Sequence, residues 1–340
     1  MNQYSPFWLA PMAGYTDQAM RKIYRHFGGG LFYTEVAVAQ GIIRDSAPSW
    51  HLLAVDPDEQ PVAGHIYGRD PDVMAEAAKR MEATGRFASI DINCGCPVRK
   101  IVSKGAGAAL IQNPSQIGEI TKAVVSAVAL PVTVKTRIGY ESGHAVVMEI
   151  LRQVEDAGGA ALAIHGRYAD QRHKGDADWQ LIADVKSKAH IPIIGNGGLR
   201  TAHEAVQALR QSGVDAVMLA RGAVGNPWIL SDAECLLRHD ELPRRDYHAL
   251  RAVIHDHLDA LLDLKMKERQ WRRNKQMDMD RAAALQFRCH LIQYLAGLEH
   301  WADMRRRFSQ LTSCGEVRTM VDVIIGRQTQ PWHKLYPLRG

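Results

Sequence analysis

Residues 89–97 read Ser-Ile-Asp-Ile-Asn-Cys-Gly-Cys-Pro. Ser89 to Ile92 have the character of a buried strand's end, and Gly95 and Pro97 break it. Asn93 and Cys96 therefore fall on a tight loop at the strand's C-terminal end. A buried strand has no structural use for an amide or a thiol there. The Asn93 amide offers donors and an acceptor, which can grip a planar amide such as a flavin or a pyrimidine. A half-exposed thiol at Cys96 is a nucleophile or a proton donor. Cys94 beside it reads as a small apolar filler.

Further chemistry-bearing residues end later apolar runs. His65 is followed by Gly68, Lys135 begins Lys-Thr-Arg-Ile-Gly139, and His165-Gly-Arg167 closes another run. A lysine at the end of a buried strand is costly unless it meets an anion or snorkels to water. Gly195-Asn-Gly-Gly198 and Ala220-Arg-Gly-Ala-Val-Gly-Asn-Pro227 are glycine-rich turns, each leading towards a helix start. Two such turns side by side make a phosphate cradle from backbone N–H groups. The combination predicts a phosphorylated ligand with a flat head. Lys135 would face that head, and Cys96 would reach a second molecule, the substrate.

The frame that gathers these residues is a repeating one. Short apolar runs recur at Phe7–Ala10, Phe32–Val36, Val62–Ile66, Ala88–Ile92, Val132–Lys135, Ala160–Ile164, Ile191–Gly195 and Val214–Leu219. Most lack period-two alternation, as strands covered on both faces do. Helical patterns lie between them at Asp72–Glu82, Ser115–Val128, Val146–Ala157 and Thr201–Gln211, with Pro114-Ser115 and Leu199-Arg-Thr201 as helix starts. Eight strand–helix units predict a (β/α)8 TIM barrel, an α/β fold whose chemistry collects at the C-terminal ends of its strands. A doubly wound sheet would carry its phosphate fingerprint after the first strand, and none occurs there.

The pattern changes near Leu242-Pro-Arg-Arg245. From Tyr247 onward Leu250, Ile254, Leu258, Leu261 and Leu262 follow helical spacing. Lys265, Lys267, Arg269, Arg272, Arg273 and Lys275 form a basic stretch, and Arg305-Arg-Arg307 another. We divide the chain into a barrel over residues 1–242 and a smaller all-helical domain over 243–340. The basic runs suit a solvated helix face or a surface that meets nucleic acid.

Composition narrows the class. The 340 residues are 46% hydrophobic and 23% charged, ordinary for a soluble globular protein, with a net charge of +5. No apolar run approaches the roughly 20 residues that span a bilayer, and Met1–Ala10 has no signal-peptide character. Five cysteines without framework spacing suggest reduced thiols and a cytoplasmic protein. Cys94 and Cys96 have no second close Cys/His pair, so no metal is expected.

The motifs in order resemble those of the tRNA-dihydrouridine synthases, flavoenzymes that reduce uridine in RNA. The matching pieces are Ala10-Pro-Met-Ala-Gly-Tyr-Thr-Asp17, Asp91–Pro97, Val134–Gly139, Ile164–Arg167, Gly195–Gly198 and Ala220–Ala223 with Gly225-Asn-Pro-Trp228. The resemblance implies FMN as cofactor. Pro11, Met12 and Ala13 would meet the flavin ring through backbone, and Lys135 its N1/C2 edge. His165 would meet the ring or the ribityl chain, while Asn196, Gly197, Gly198, Ala220 and Arg221 hold the phosphate. Asn93, Arg137 and Arg167 would face the uracil or nearby RNA phosphates. His65 stands where the family commonly has Gln, and it too would contact the flavin or the base. His173 stands where a Tyr often follows the His-Gly-Arg motif. The implied reaction passes hydride from reduced FMN to C6 of uridine and a proton from Cys96 to C5. NADPH would resupply the flavin, and the basic helices would grip tRNA with the target base turned out of its stack. A monomer is expected.

Three other readings remain at this point. An FMN barrel acting on a free pyrimidine would not need the basic helices. An RNA-binding module with a vestigial barrel would not keep Cys96, Lys135 and both phosphate turns. An aldolase using Lys135 as a Schiff base leaves Cys96 without a role.

Overall fold

Residues 4–239, 242–270, 276, 278–299 and 307–328 are described by the computed structural model. The strands are β1 (Phe7–Leu9), β2 (Phe32–Tyr33), β3 (Ala37–Val38), β4 (Val62–Tyr67), β5 (Ser89–Cys94), β6 (Val132–Arg137), β7 (Ala161–His165), β8 (Ile193–Asn196) and β9 (Ala216–Leu219). Every pairing is parallel, and the sheet closes because β2 pairs with both β1 and β4 while β1 pairs with β9. β3 extends the β2 position further along β4. Of the predicted second strand, Phe32–Val36, only Phe32–Tyr33 is strand; it stops where Thr34 Oγ1 accepts from the His65 N–H, and pairing with β4 resumes at Ala37–Val38, beyond the expected end.

Helices on the barrel side are α1 (Gln18–Arg25), α2 (Ala39–Ile43), α3 (Ala47–Leu52), α4 (Pro71–Glu82), α5 (Arg99–Val102), α6 (Pro114–Ala127) and α7 (Val147–Asp156). They continue with α8 (Trp179–Lys186), α9 (Ala202–Ser212) and α10 (Ile229–His239). The expected helix starts are present. Pro114 opens α6, where its missing N–H costs nothing. Thr201 and Glu204 close a capping box on α9, satisfying two otherwise orphaned N–H groups. The chain is an eight-position TIM barrel followed by helices α11 (Tyr247–Glu268), α12 (Met279–Leu295) and α13 (Cys314–Gly326).

Strand periodicity sorts the two sides of the barrel wall. Outward residues such as Phe7, Leu9, Ile90, Ile92, Val132, Val134, Leu162 and Ile164 pack in the cluster that lies under the helices. Inward residues form a separate cluster of Trp8, Tyr33 and mostly small side chains, including Ala63, Ala161, Ala163 and Ala216. Small residues leave the inside room for the polar side chains that share the inward phase: His65 on β4, Asp91 and Asn93 on β5, and Thr133, Lys135 and Arg137 on β6. Registers His65↔Asp91, Asn93↔Lys135 and Arg137↔His165↔Asn196 set these residues beside one another.

The C-terminal helices lie against the start of the barrel chain. α1 packs on α11, and the Tyr24 ring meets His257 edge-on. Tyr15 meets His290 of α12, and the Asp17 cap of α1 accepts from Gln286. Gly225 lies so close to α12 that a β-carbon there would sit 2.4 Å from the Gln293 carbonyl carbon. Apolar residues of α11 and α12, among them Leu258 and Phe287, belong to the same cluster as the outer face of the barrel. Among the described residues no helix is long and apolar enough to cross a membrane.

Candidate active site

A cavity of about 770 Å³ opens at the C-terminal ends of the strands. All the candidate residues line it: Pro11, Met12, Ala13, His65, Asn93, Cys96, Lys135, Arg137, His165, Arg167, Asn196, Gly197, Gly198, Ala220 and Arg221.

Cys96 is half-buried on the loop after β5, while Cys94 is buried within the strand. Burial and the Asp91 carboxylate push the Cys94 thiol far up, which keeps it protonated and inert. Asn93 explains the loop's shape. Its Oδ1 accepts from the N–H groups of Gly95 and Cys96 at 3.1 and 3.0 Å, an Asx turn that fixes the Cys96 backbone. Gly95 allows a close approach: a β-carbon there would sit 3.2 Å from the Thr136 carbonyl carbon.

Lys135 donates to Asn196 Oδ1 at 3.2 Å, and Asn196 Nδ2 donates to the Met218 carbonyl at 2.7 Å. Both ends of the Asn196 amide are therefore engaged within the barrel, aiming Lys135 into the cavity. Burial, then the Arg137 charge, lowers Lys135 to about 8, while Asp91 and Cys96 oppose the shift. His165 is held well below its usual range by burial and then by Arg137, Lys135 and Arg167. It is a neutral acceptor, and its Nε2 faces Arg167 Nη1 at 3.3 Å.

Two arginines bind their own loops. Arg137 donates to the carbonyls of Gly95, Tyr168 and Arg172, tying the Cys96 loop to the loop after β7. Arg172 takes a left-handed φ of 53° at that junction, a costly conformation for a non-glycine residue. Arg167 donates twice to the Gly175 carbonyl. Their charges still face the cavity. Arg221 is exposed, and its guanidinium makes no hydrogen bond or ion pair among the described residues.

The two glycine turns meet at the far end. Gly197 and Gly198 have φ of 131° and 77°, which a side chain would strain. A β-carbon on Gly222 would lie 2.6 Å from the Leu199 carbonyl, so only glycine lets the turns touch. The N–H groups of Gly197, Gly198, Leu199, Arg221 and Gly222 donate to no acceptor among the described residues. Unbonded N–H groups on two touching turns, with Arg221 and Arg200 lining the same cavity, are the kind of donors an anion takes.

Just after β1, the strand that pairs with β9, the Met12 N–H donates to Thr16 Oγ1, and the Met12 carbonyl accepts from Tyr15 and Thr16. That turn leaves the Ala13 N–H without an acceptor among the described residues, available to a ring edge. The cavity therefore suits a flat ligand with a phosphorylated tail, plus a second molecule at Cys96.

Some placements differ from the simplest expectation. His65 is buried, and both its ring nitrogens face protein groups: Nδ1 is 2.5 Å from Asp91 Oδ2, and Nε2 is 3.0 Å from Asn93 Nδ2. It presents carbon, not nitrogen, to a ligand. His173 stands in the loop after β7 with its ring 6.1 Å from His165. Lys265 is buried against Glu268, which also pairs with His51 of α3, so it does not belong to the outward basic stretch. Arg272, Arg273, Lys275, Arg305 and Arg306 lie outside the described residues. Sequence reasoning passed over Asp91, although a carboxylate two residues before Asn93 on a buried strand signals an inward polar position. It also passed over Gln293 of α12, which lines the cavity from a segment with no recognisable motif.

The family model for dihydrouridine synthases matches residues 8–329 of the chain. A probable tRNA-dihydrouridine synthase 1 from Synechocystis sp. is 33% identical over 319 residues, covering 93% of this chain and 85% of the relative. A tRNA-dihydrouridine synthase B from Xanthomonas axonopodis pv. citri is 37% identical over 254 residues, covering 74% and 76%. Among solved structures, a histamine dehydrogenase from Rhizobium sp. 4-9 superposes with a TM-score of 0.50 at 14% identity, covering 75% of this chain and 49% of that one. The last likeness concerns the fold alone.

Proposed function

The chain belongs to the dihydrouridine synthase family, a family of flavin-dependent oxidoreductases, and on that premise we propose that it reduces the C5=C6 bond of specific uridines in tRNA to 5,6-dihydrouridine. FMN is the flavin and NADPH the reductant in this reading, and the protein acts as a cytoplasmic monomer. The observation that carries the FMN assignment is the cradle of unbonded N–H groups at one end of the cavity, with Cys96 at the other.

The residues fit such a cofactor. The cradle and Arg221 suit its phosphate, Ala13 and Lys135 its ring. When bound and reduced, it supplies hydride to C6 of the uracil. The residues do the rest. Hydride addition pushes the C5=C6 electron pair onto C5 and the C4 carbonyl. Cys96 S–H gives its proton to C5, which completes the product and leaves a thiolate. The cationic side chains of Arg137 and Lys135 line the same cavity as Cys96 and are placed to stabilise that negative charge. Neutral His165 does not compete as an acid. The spare Asn93 N–H suits a uracil carbonyl.

Cys96→Ala tests the assignment. It should keep FMN and oxidise NADPH, yet lose uridine reduction by about 10²–10⁴-fold. Cys94→Ala should be nearly normal. The readout is dihydrouridine mapped by position in tRNA from cells lacking the protein and regaining each variant. Undiminished dihydrouridine with Cys96→Ala would overturn the role of Cys96.

A further inference from the structure

The buried polar groups of β4 and β5 support one more step. Asp91 is fully buried. Its Oδ1 accepts from Thr133 Oγ1, and its Oδ2 faces His65 Nδ1. His65 Nε2 faces Asn93 Nδ2, and Asn93 Oδ1 takes the N–H groups of Gly95 and Cys96. This chain of contacts assigns every proton. Two backbone N–H groups can only point at an oxygen, so the Asn93 amide has its oxygen towards the loop and its nitrogen towards His65. Asn93 Nδ2 then donates, so His65 Nε2 accepts. The ring proton is left on Nδ1, where Asp91 receives it.

We propose that His65 and Asp91 form a positioning dyad for this reaction. It locks the Asn93 amide in one orientation, which holds the Cys96 backbone in place and keeps the second Nδ2 hydrogen of Asn93 turned to the ligand. The proposal rests on the reading of Cys96 as proton donor. His65 acts through Asn93 and is not itself a catalytic residue. The dyad also accounts for the residue type. A glutamine at 65 offers the same order of groups, an amide N–H for Asp91 and an oxygen for Asn93 Nδ2. A histidine achieves it only in the Nδ1–H form, and Asp91 selects that form. Loss of the dyad frees the amide to rotate, which releases the loop. Tyr33, whose ring meets His65 edge-on, supplies packing.

The test uses the full-length flavin-loaded protein and two readouts. One is the rate at which iodoacetamide alkylates Cys96, followed by peptide mass spectrometry with buried Cys94 as the internal reference. The other is the kcat and KM for dihydrouridine formation in tRNA. His65→Leu removes both nitrogens at similar volume. It should speed Cys96 alkylation several-fold and lower kcat by about tenfold or more, as loss of positioning does, with KM for tRNA little changed. His65→Gln should restore both readouts to within about threefold of the unmodified protein. Should His65→Leu fail to fold, Asp91→Asn, which lets His65 choose either tautomer, is read in the same way. Wild-type alkylation and kcat in His65→Leu, or equal impairment in His65→Leu and His65→Gln, overturns the dyad. If no form of the protein makes dihydrouridine while alkylation follows the predicted order, the proposed function fails and the dyad stands as a loop anchor.

Discussion

Gly222→Ala probes the anion cradle with a single methyl group. The added carbon would sit 2.6 Å from the Leu199 carbonyl oxygen and 2.8 Å from Arg200 Cα. Both neighbours are backbone, so no side chain can swing aside. Ordinary contact begins near 3.4 Å, so the two turns must part by about 0.8 Å. That opening carries one or two of the unbonded N–H groups out of reach of a shared phosphate. A hydrogen bond to a charged group contributes about 1.5–3 kcal/mol, so FMN should bind roughly 10- to 10⁴-fold more weakly. Riboflavin has no phosphate and should bind the variant as it binds the original protein. The assay is titration of flavin-free protein with each flavin, followed by flavin fluorescence, alongside a thermal unfolding check. Unchanged FMN affinity in a folded Gly222→Ala would refute the cradle. Equal losses for FMN and riboflavin would move the damage to the ring site.

Glu59→Ala should cost about 3–5 kcal/mol by urea denaturation, because it strands the fully buried Arg21 guanidinium without its carboxylate. Gly225→Ala drives a β-carbon into the α12 backbone and strains the left-handed φ of 72°. It should destabilise by about 1–3 kcal/mol and speed limited proteolysis between α10 and α12. Lys135, lowered to about 8, loses its ammonium as pH rises through that value. A reaction that needs the cation should slow by up to tenfold per pH unit above about 8, and Lys135→Arg should move that limb upward. A pH–rate profile flat to about pH 10 would remove the charge of Lys135 from the mechanism.

The barrel was legible because eight apolar runs and eight helix-length gaps leave few other solutions. Glycines at 197, 198 and 222 marked the cradle for the same physical reason that the backbone needs them: positive φ and close approach. What the sequence concealed was pairing. Asn196 and Arg137 read as ligand contacts and both line the cavity, but their hydrogen bonds to Lys135, Met218 and loop carbonyls, set by strand register, left no mark in the sequence. The inward alternation of Asp91 with Asn93, and of Thr133, Lys135 and Arg137, was masked because outward positions on the same strands are equally buried. Gln293 and Tyr15 meet at the cavity from segments far apart in the chain, and no local pattern records such a meeting.

The packing of α1 on α11 and α12 sets an order of events during synthesis. The contact from Asp17 to Gln286 spans 269 residues, and the barrel closes only when β9 reaches β1. A ribosome therefore delivers Tyr24, fully buried in the finished protein, long before the helices that cover it. Through most of translation this apolar face stays open to water and to other nascent chains. Long-range closure of this kind makes folding late and collective. Until α11 and α12 emerge that face stays uncovered, and this is the interval in which aggregation competes with folding.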